Sequence, residues 1–481
     1  MTVRQATETR WTWSGVVFFF LCVETLFSVP YRTVYLAVHS PTKSWIAALL
    51  VLALCAAVFS QRHVLRARLL RLHLPQALAA APAALAAGAA LRLLWVLLFH
   101  PPLASDGAGY FTEATYLGIA HRYDGTFWPP GFPLFLSPFV AAFGAHYYVA
   151  VLCGFLLFAA TLLLTRRVAL EVTGSADAAA VAGWIVALWP GDITVVGINS
   201  KEAWIATLLT AITGLLYGTR YWTGRRLWLS VAATGVLCGL VALTQPGFLL
   251  FPLVLLLTYW LLTRRLQATL VRTVVAGCAM LLTILPWTVR NYRAFGHPIL
   301  ISSNGGSVFY RANNPRANAS YSSVGEFALP TDTLAADRQG YAMARAWIRQ
   351  HPMQFLVLSV RKQVVFLGDD GDGVYEGLKR NQSPNALLYA GLKGVTSLYW
   401  FLLWLLLLCL GGAMMRTSLW PAWFGVAFLP YAYQWVIDSI SESGSRHHLA
   451  HVGCLAVLCA AALAAPRLAN TSSVNSGTGI A

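Results

Sequence analysis

Charge is what this 481-residue chain has least of. Asp, Glu, Lys and Arg make up 11% of it against 58% hydrophobic residues, and the mean hydropathy is +0.62. Soluble domains carry about 25% charged residues, so the scarcity excludes a soluble enzyme and a disordered polar chain. Lysine is scarcer still, with Lys43, Lys201, Lys362, Lys379 and Lys393 the whole set. The eight cysteines (Cys22, Cys55, Cys153, Cys238, Cys278, Cys409, Cys454 and Cys459) lie inside apolar runs and form no Cys-x-x-Cys pair. That excludes a disulfide framework and a zinc knuckle, and leaves them as small apolar residues. The N-terminal MTVRQATETRW enters an apolar stretch with no small-residue cleavage site, so no cleaved signal peptide is expected.

What is present is a series of long apolar runs, and with them an all-α polytopic membrane protein. A spanning helix needs about 20 mostly apolar residues. Such runs occur near 14–36, 44–60, 76–99, 145–165, 176–192, 202–218, 227–243, 247–262, 273–289, 385–411, 419–437 and 447–465, which predicts about twelve spans. The formal net charge is +16, from 34 Lys+Arg and 18 Asp+Glu. Arginines cluster in alternate loops, at Arg62–Arg71, Arg166–Arg167, Arg220–Arg226, Arg264–Arg272, Arg416 and Arg467, while the intervening loops are poor in basic residues. By the positive-inside rule this places both termini in the cytoplasm of a multi-pass protein in the cytoplasmic (inner) membrane. Most of the excess charge therefore sets orientation and says nothing of nucleic acid.

The chain then divides into 1–75, two helices and a basic cytoplasmic loop; 76–289, a transmembrane core with a first long outer loop at 100–131; 290–384, an extracytoplasmic loop region; 385–466, the C-terminal spans; and 467–481, a Ser/Gly/Thr-rich tail expected to be disordered. Within the third region, 341–367 is apolar but carries Arg345, Arg349, Arg361 and Lys362. It reads as one or two amphipathic helices lying on the outer surface.

The residues that could do chemistry gather in the outer loops. Asp106 follows the third span and stands like an N-cap before Tyr110, Glu113, Ala114 and Leu117, at helical spacing. A capping role alone and a role as acceptor-activating base both fit it. Lys201 and Glu202 open a helix at the outer side, where they form a simple ion pair or the ammonium meets a lipid phosphate. Arg290 and Arg293 leave a helix end just before the Gly/Asn-rich loop Asn304–Ser307, and a guanidinium fork suits phosphate. Arg446 opens the final helix and is a further phosphate contact. His447 and His451 stand four apart, a spacing that can hold zinc. The acidic GDDGDGVYEG of residues 368–377 hints at a calcium loop but lacks the EF-hand carboxylate spacing.

Taken together, these motifs resemble the GT-C membrane glycosyltransferases, in the branch of protein O-mannosyltransferases and bacterial aminoarabinose transferases. The resemblance is carried by Asp106–Tyr110–Ala114–Leu117, PPGFPLFL, the Lys201-Glu202 pair, LTQPGFLLFP and LPWTVRNYRAFGHPILISSNGG, over about residues 90–465. It implies the GT-C fold and transfer of a sugar from a polyprenyl-phosphate carrier to a glycolipid, polysaccharide or protein acceptor on the extracytoplasmic face. It also implies that Asp106 is the catalytic carboxylate and that Lys201, Glu202, Arg290 and Arg446 make donor or interface contacts. Tyr110 and Arg293 join them as substrate-binding candidates, with His447, Asn304 and Glu113 behind. Three features depart from the family pattern: Gly107 where many members carry an acidic residue, Arg446-His447 where Arg-Tyr is usual, and two extra N-terminal helices.

The chemistry fits these residues. A lipid phosphate is a good leaving group, so the reaction needs a base for the acceptor and cations for the departing phosphate rather than a general acid. A single displacement inverts the anomeric centre. Asp106 holding a divalent metal stays open as an alternative, although no convincing second carboxylate ligand is evident and no cofactor is otherwise implied. Two other classes compete. An O-antigen ligase or polymerase would share the many helices and the large outer loop but use a pyrophosphate-linked donor. A transporter or flippase would favour mid-membrane ionisable residues and repeated halves; apart from Glu24 the former are few, and no repeat is evident.

Overall fold

The computed structural model describes residues 13–70, 75–103, 105–320, 329–379 and 385–474. The N-terminal stretch expected to lack a cleavage site lies outside them, as does the end of the tail. In chain order the main helices are α1 (Trp13–Val38), α2 (Pro41–Ser60), α3 (Arg62–Leu70), α4 (Ala81–Phe99), α5 (Ser105–Ile119), α6 (Gly131–Phe143), α7 (Tyr147–Thr173), α8 (Ala176–Ala187), α9 (Lys201–Gly218), α10 (Gly224–Thr244), α11 (Phe251–Thr263), α12 (Leu266–Phe295), α13 (Gly305–Ala312), α14 (Thr333–Gln350), α15 (Pro352–Leu367), α16 (Ala386–Met414), α17 (Leu429–Ile440) and α18 (Val452–Val474). No strand occurs among the described residues.

Local signals set the helix ends. Ser40 caps α2, its Oγ accepting from the Lys43 amide at 3.4 Å, and Pro41 occupies the first turn, where a missing N–H costs nothing. α7 stops at Gly174 (φ +65°) and α12 at Gly296 (φ +68°), both in the left-handed region that glycine enters freely.

Nine helical segments among the described residues are long and apolar enough to cross a membrane: α1, α2, α4, α7, α10, Pro246–Thr263, α12, α16 and Ser445–Ala465. Leu94, Leu97 and Leu98 on α4 and Leu281 and Leu282 on α12 are exposed, as expected of surfaces that face acyl chains instead of water. This is a multi-pass helical membrane protein. The other three expected spans are shorter, less apolar or broken. Pro190 ends the 176–192 run, so α8 has only 12 residues. α9 has 18 residues and begins with the Lys201-Glu202 pair. The 419–437 run is divided by a π-turn at Phe424–Phe428, after which α17 starts with Pro430 in its first turn.

The last helix is the axis of the bundle. From Val452 to Ala465 it is almost wholly buried, packed by α7, α8, α9 and α16. Its run of alanines and Gly453 is what permits that: a Cβ at 453 would stand 2.0 Å from Thr210 Oγ1. Small residues are how helices approach closely where no water drives them together. α18 runs on to Val474, so residues 467–474 continue the helix.

The two ends of the bundle differ. Arg166 donates to the Ala79 carbonyl at 2.7 Å just before α4, and α4 then rises about 28 Å at 1.5 Å per residue to deliver Pro101 and the start of α5 to the opposite end. The 341–367 segment forms α14 and α15, separated at His351-Pro352. α15 does not lie on a surface throughout. It packs against α1 and α17 and buries Lys362, Val365, Phe366 and Leu367. Lys362 Nζ donates to Asn313 Oδ1 at 2.8 Å and to the Ile440 carbonyl at 3.2 Å.

Candidate active site

α4 ends at His100, in the left-handed conformation (φ +42°). The chain then turns through Pro101 and Pro102 into α5. Asp106 lies inside the first turn of α5 and not at the cap position expected for it. A carboxylate in the first turn is favoured by the helix dipole, yet it is turned to a tertiary partner. Its Oδ2 accepts from Arg446 Nη2, on the 3₁₀ turn Ser445–His451 that precedes α18.

The third contributor is the loop before α9. Gly197 (φ +96°) and Asn199 (φ +59°) both adopt left-handed backbone, and Asn199 Nδ2 donates to the Gly107 carbonyl at 2.9 Å. The loop crosses α5 so closely that a Cβ at residue 107 would stand 1.9 Å from the Ile198 carbonyl oxygen. Gly107 is therefore required by packing. The crossing delivers Lys201 and Glu202 beside Asp106. Glu202 is 1% exposed, accepts from Ser200 Oγ at 2.5 Å, and stands 3.6 Å from Arg446 Nε. Lys201 Nζ lies 5.8 Å from the centre of the buried Tyr110 ring.

Arg446 thus faces three carboxylates: Asp106, Glu202, and Asp372, whose Oδ2 is 3.8 Å away. Asp106, Glu202 and Arg446, together with Tyr110, Ser200, Lys201 and Glu376, line a cleft of ≈ 280 Å³, and Asp372 stands beside Arg446 outside that lining. Burial acts to raise the Asp106 pKa, but Arg446, Lys201 and Arg311 outweigh it, so the carboxyl sits below its ordinary value. A mostly apolar cavity of ≈ 450 Å³ shares Asn199 and Ser200 with the cleft and extends between α6 and α7, past Phe132 and Leu157.

Asp106, Tyr110, Lys201, Glu202 and Arg446 are thus brought together, and the remaining candidates are not. Arg290 lies with Glu113 instead, two turns along α5. It donates to the Gly125 carbonyl at 3.4 Å and to Asn291 Oδ1 at 3.0 Å, under the rings of Tyr123 and Trp287. Burial and Asp124 raise the Glu113 pKa against the pull of Arg290. Arg293 is exposed. Asn304 begins α13 and accepts from Ser302 Oγ at 2.9 Å. His447 is 2.7 Å from Asp438, at the margin of the cleft.

His447 and His451 stand on 3₁₀ backbone, where residues four apart do not share a face; His451 is buried against Tyr431. The acidic run 368–377 forms no calcium loop. It folds inward and directs Asp369 to Lys393, Asp370 to His448 and Asp372 to Arg446. Asp372 and Glu376 are the carboxylates near Arg446 that the sequence reading missed. The signal was there, since four acidic residues within ten are unusual in so apolar a chain. Among the described residues no group of three His, Cys, Asp or Glu side chains is placed to hold a metal ion; Arg446 occupies the space between the carboxylates.

No family model matches the sequence, and no curated protein matches it. Solved structures do. The chain is similar to the archaeal oligosaccharyltransferase AglB of Archaeoglobus fulgidus, in complex with an inhibitory peptide and a dolichol-phosphate, with 13% identity and TM-score 0.44 over 83% of this chain and 52% of that one. It is similar to ArnT of Cupriavidus metallidurans bound to undecaprenyl phosphate, with 15% identity and TM-score 0.39 over 80% and 77% of the two chains. The chain spans about half the length of the oligosaccharyltransferase it matches.

Proposed function

We propose that this protein is an integral-membrane glycosyltransferase of the GT-C type, moving a sugar from a polyprenyl-phosphate donor to an acceptor on the extracytoplasmic face. The observation that carries the reading is the convergence of Asp106, Lys201 and Arg446. Three segments far apart in sequence bring two cations, Lys201 and Arg446, and a set of carboxylates that includes Asp106 and Glu202 to a single polar cleft at one end of the bundle.

In the free protein, Arg446 is paired with Asp106. A carboxylate so paired is a weak base. When the donor phosphate enters the cleft it competes for Arg446 and Lys201. Arg446 then faces phosphate oxygens, and the Asp106 pKa rises as its cation turns away. The acceptor hydroxyl or amine attacks the anomeric carbon and passes its proton to Asp106. The bond from that carbon to the phosphate oxygen breaks, and its electron pair leaves with the lipid phosphate. The configuration inverts. Glu202, held by Ser200, orients Arg446 and balances the cations.

A deletion strain with mass spectrometry of its surface glycans, glycolipids and glycoproteins tests this reading. One class of product is expected to lose a sugar, to regain it with the wild-type gene, and not to regain it with Asp106→Asn. An unchanged profile, or full rescue by Asp106→Asn, would overturn it.

A further inference from the structure

The cleft and the carboxylates around Arg446 leave a second set of buried charges unused. Asp369 is 4% exposed, and its Oδ2 accepts from Lys393 Nζ of α16 at 2.6 Å with Arg32 Nε of α1 at 4.0 Å. Its Oδ1 accepts from the Gly371 amide at 2.8 Å. Asp370, 2% exposed, has Oδ1 at 2.8 Å from His448 Nε2, while its Oδ2 accepts from Trp189 Nε1 at 3.0 Å. His448 is stacked on Trp400, centroids 4.1 Å apart and planes at 10°, with Nδ1 3.0 Å from the Phe366 carbonyl. None of Arg32, Lys393, Asp369 or Asp370 lines the cleft.

Successive carboxylates of one short segment therefore reach different elements. Asp369 reaches α1 and α16, while Asp370 and Asp372 reach the turn bearing Arg446. Backbone contact is equally tight. A Cβ on Gly368 would stand 2.7 Å from the Ser28 carbonyl oxygen and 2.9 Å from Arg32 Cβ, and one on Gly371 would stand 2.6 Å from Lys393 Cε. Buried ion pairs add little net stability compared with apolar packing, and their best-attested use is to fix register.

We infer that the first N-terminal helix is part of the active site's frame, and that Arg32, with Lys393, is a positioning residue. Through Asp369 it holds residues 368–374 in the register that sets Asp370 on His448 and Asp372 beside Arg446, and so holds Arg446 against Asp106. That Arg446 then meets a phosphate rests on the function proposed above; the coupling of α1 to the 445–451 turn does not.

The test uses the full chain in nanodiscs with Arg32→Gln, Arg32→Lys and Asp369→Asn. Hydrogen exchange reports on peptides covering 368–377 and 441–451, and titration with undecaprenyl phosphate reports on the cleft. Arg32→Gln and Asp369→Asn are expected to speed exchange in those two peptides, to leave α2 as in the wild type, and to weaken undecaprenyl phosphate binding by about tenfold, the scale of one coupled interaction. Arg32→Lys is expected to restore both. Unchanged exchange at 441–451, a rise spread equally over α2, or a Lys variant as impaired as the Gln variant would overturn the inference. Wild-type protein that binds no undecaprenyl phosphate would sink the carrier assignment and leave the exchange data to decide the positioning role.

Discussion

Asp106 and Gly107 show how adjacent residues can answer to different constraints. Asp106 is selected by charge: Asn keeps its size and removes its basicity. Asp106→Asn is expected to retain undecaprenyl phosphate binding and to lose sugar transfer by about 10²–10⁴-fold, the usual worth of a positioned base; near-normal turnover would remove Asp106 from that role. The lowered pKa has a second consequence. A group with a folded pKa below its unfolded value contributes stability that is complete above the unfolded pKa and is lost as pH falls through the folded one. The melting-temperature difference between wild type and Asp106→Asn should therefore stay constant above the ordinary carboxylate range and shrink below it. A difference unchanged down to strongly acidic pH would mean that the ion pair is not its source. Gly107 is selected by space. Gly107→Asp drives a side chain into the Ile198 carbonyl. It is expected to destabilise the protein by about 1–3 kcal/mol, typical of overpacking, and thermal melting will show whether the crossing loop yields.

Among the elements, the outcome turned on backbone that hydropathy does not report. α18 was legible as an apolar run, but its place at the centre followed from small residues on all sides, Gly453 above all. Gly453→Leu should lower the melting temperature well below wild type, whereas Gly277→Leu, on an α12 glycine with nothing near its Cβ position, should not. Equal effects would contradict the central packing of α18. The 3₁₀ turn 445–451 was invisible in the sequence. It separates His447 from His451 and presents Arg446 and His448 to different partners, so a helical reading of the histidine spacing could not hold. The run 368–377 was visible as an acidic cluster without EF-hand spacing, but its partners were not. Carboxylates at these spacings suit a metal or an ion-pair node equally, and only the positions of Lys393, His448 and Arg446 distinguish them.

For the whole molecule, the alternation of arginine along the chain makes a further prediction. With Cys278→Ser as background, single cysteines at Arg225 and Arg293, both exposed, should be labelled by a membrane-impermeant thiol reagent from opposite sides of the membrane, Arg293 from outside. α10, Pro246–Thr263 and α12 lie between them, so labelling from one side would break the proposed topology.

The sequence by itself determined the class of protein, the apolar runs and the identity of the basic and acidic candidates. These depend on composition and local periodicity, which a bilayer reads almost one residue at a time. Tertiary structure alone decided which candidates share a cleft. Arg446 and Asp106 are 340 residues apart, and Arg290, on α12, lies instead beside Glu113, two turns along α5 from Asp106. It also decided that Asp372 belongs with Arg446 and that Gly107 has no room for a side chain. Such pairings depend on distances between helices, set by the size of the residues between them, and no local pattern in the chain records those distances.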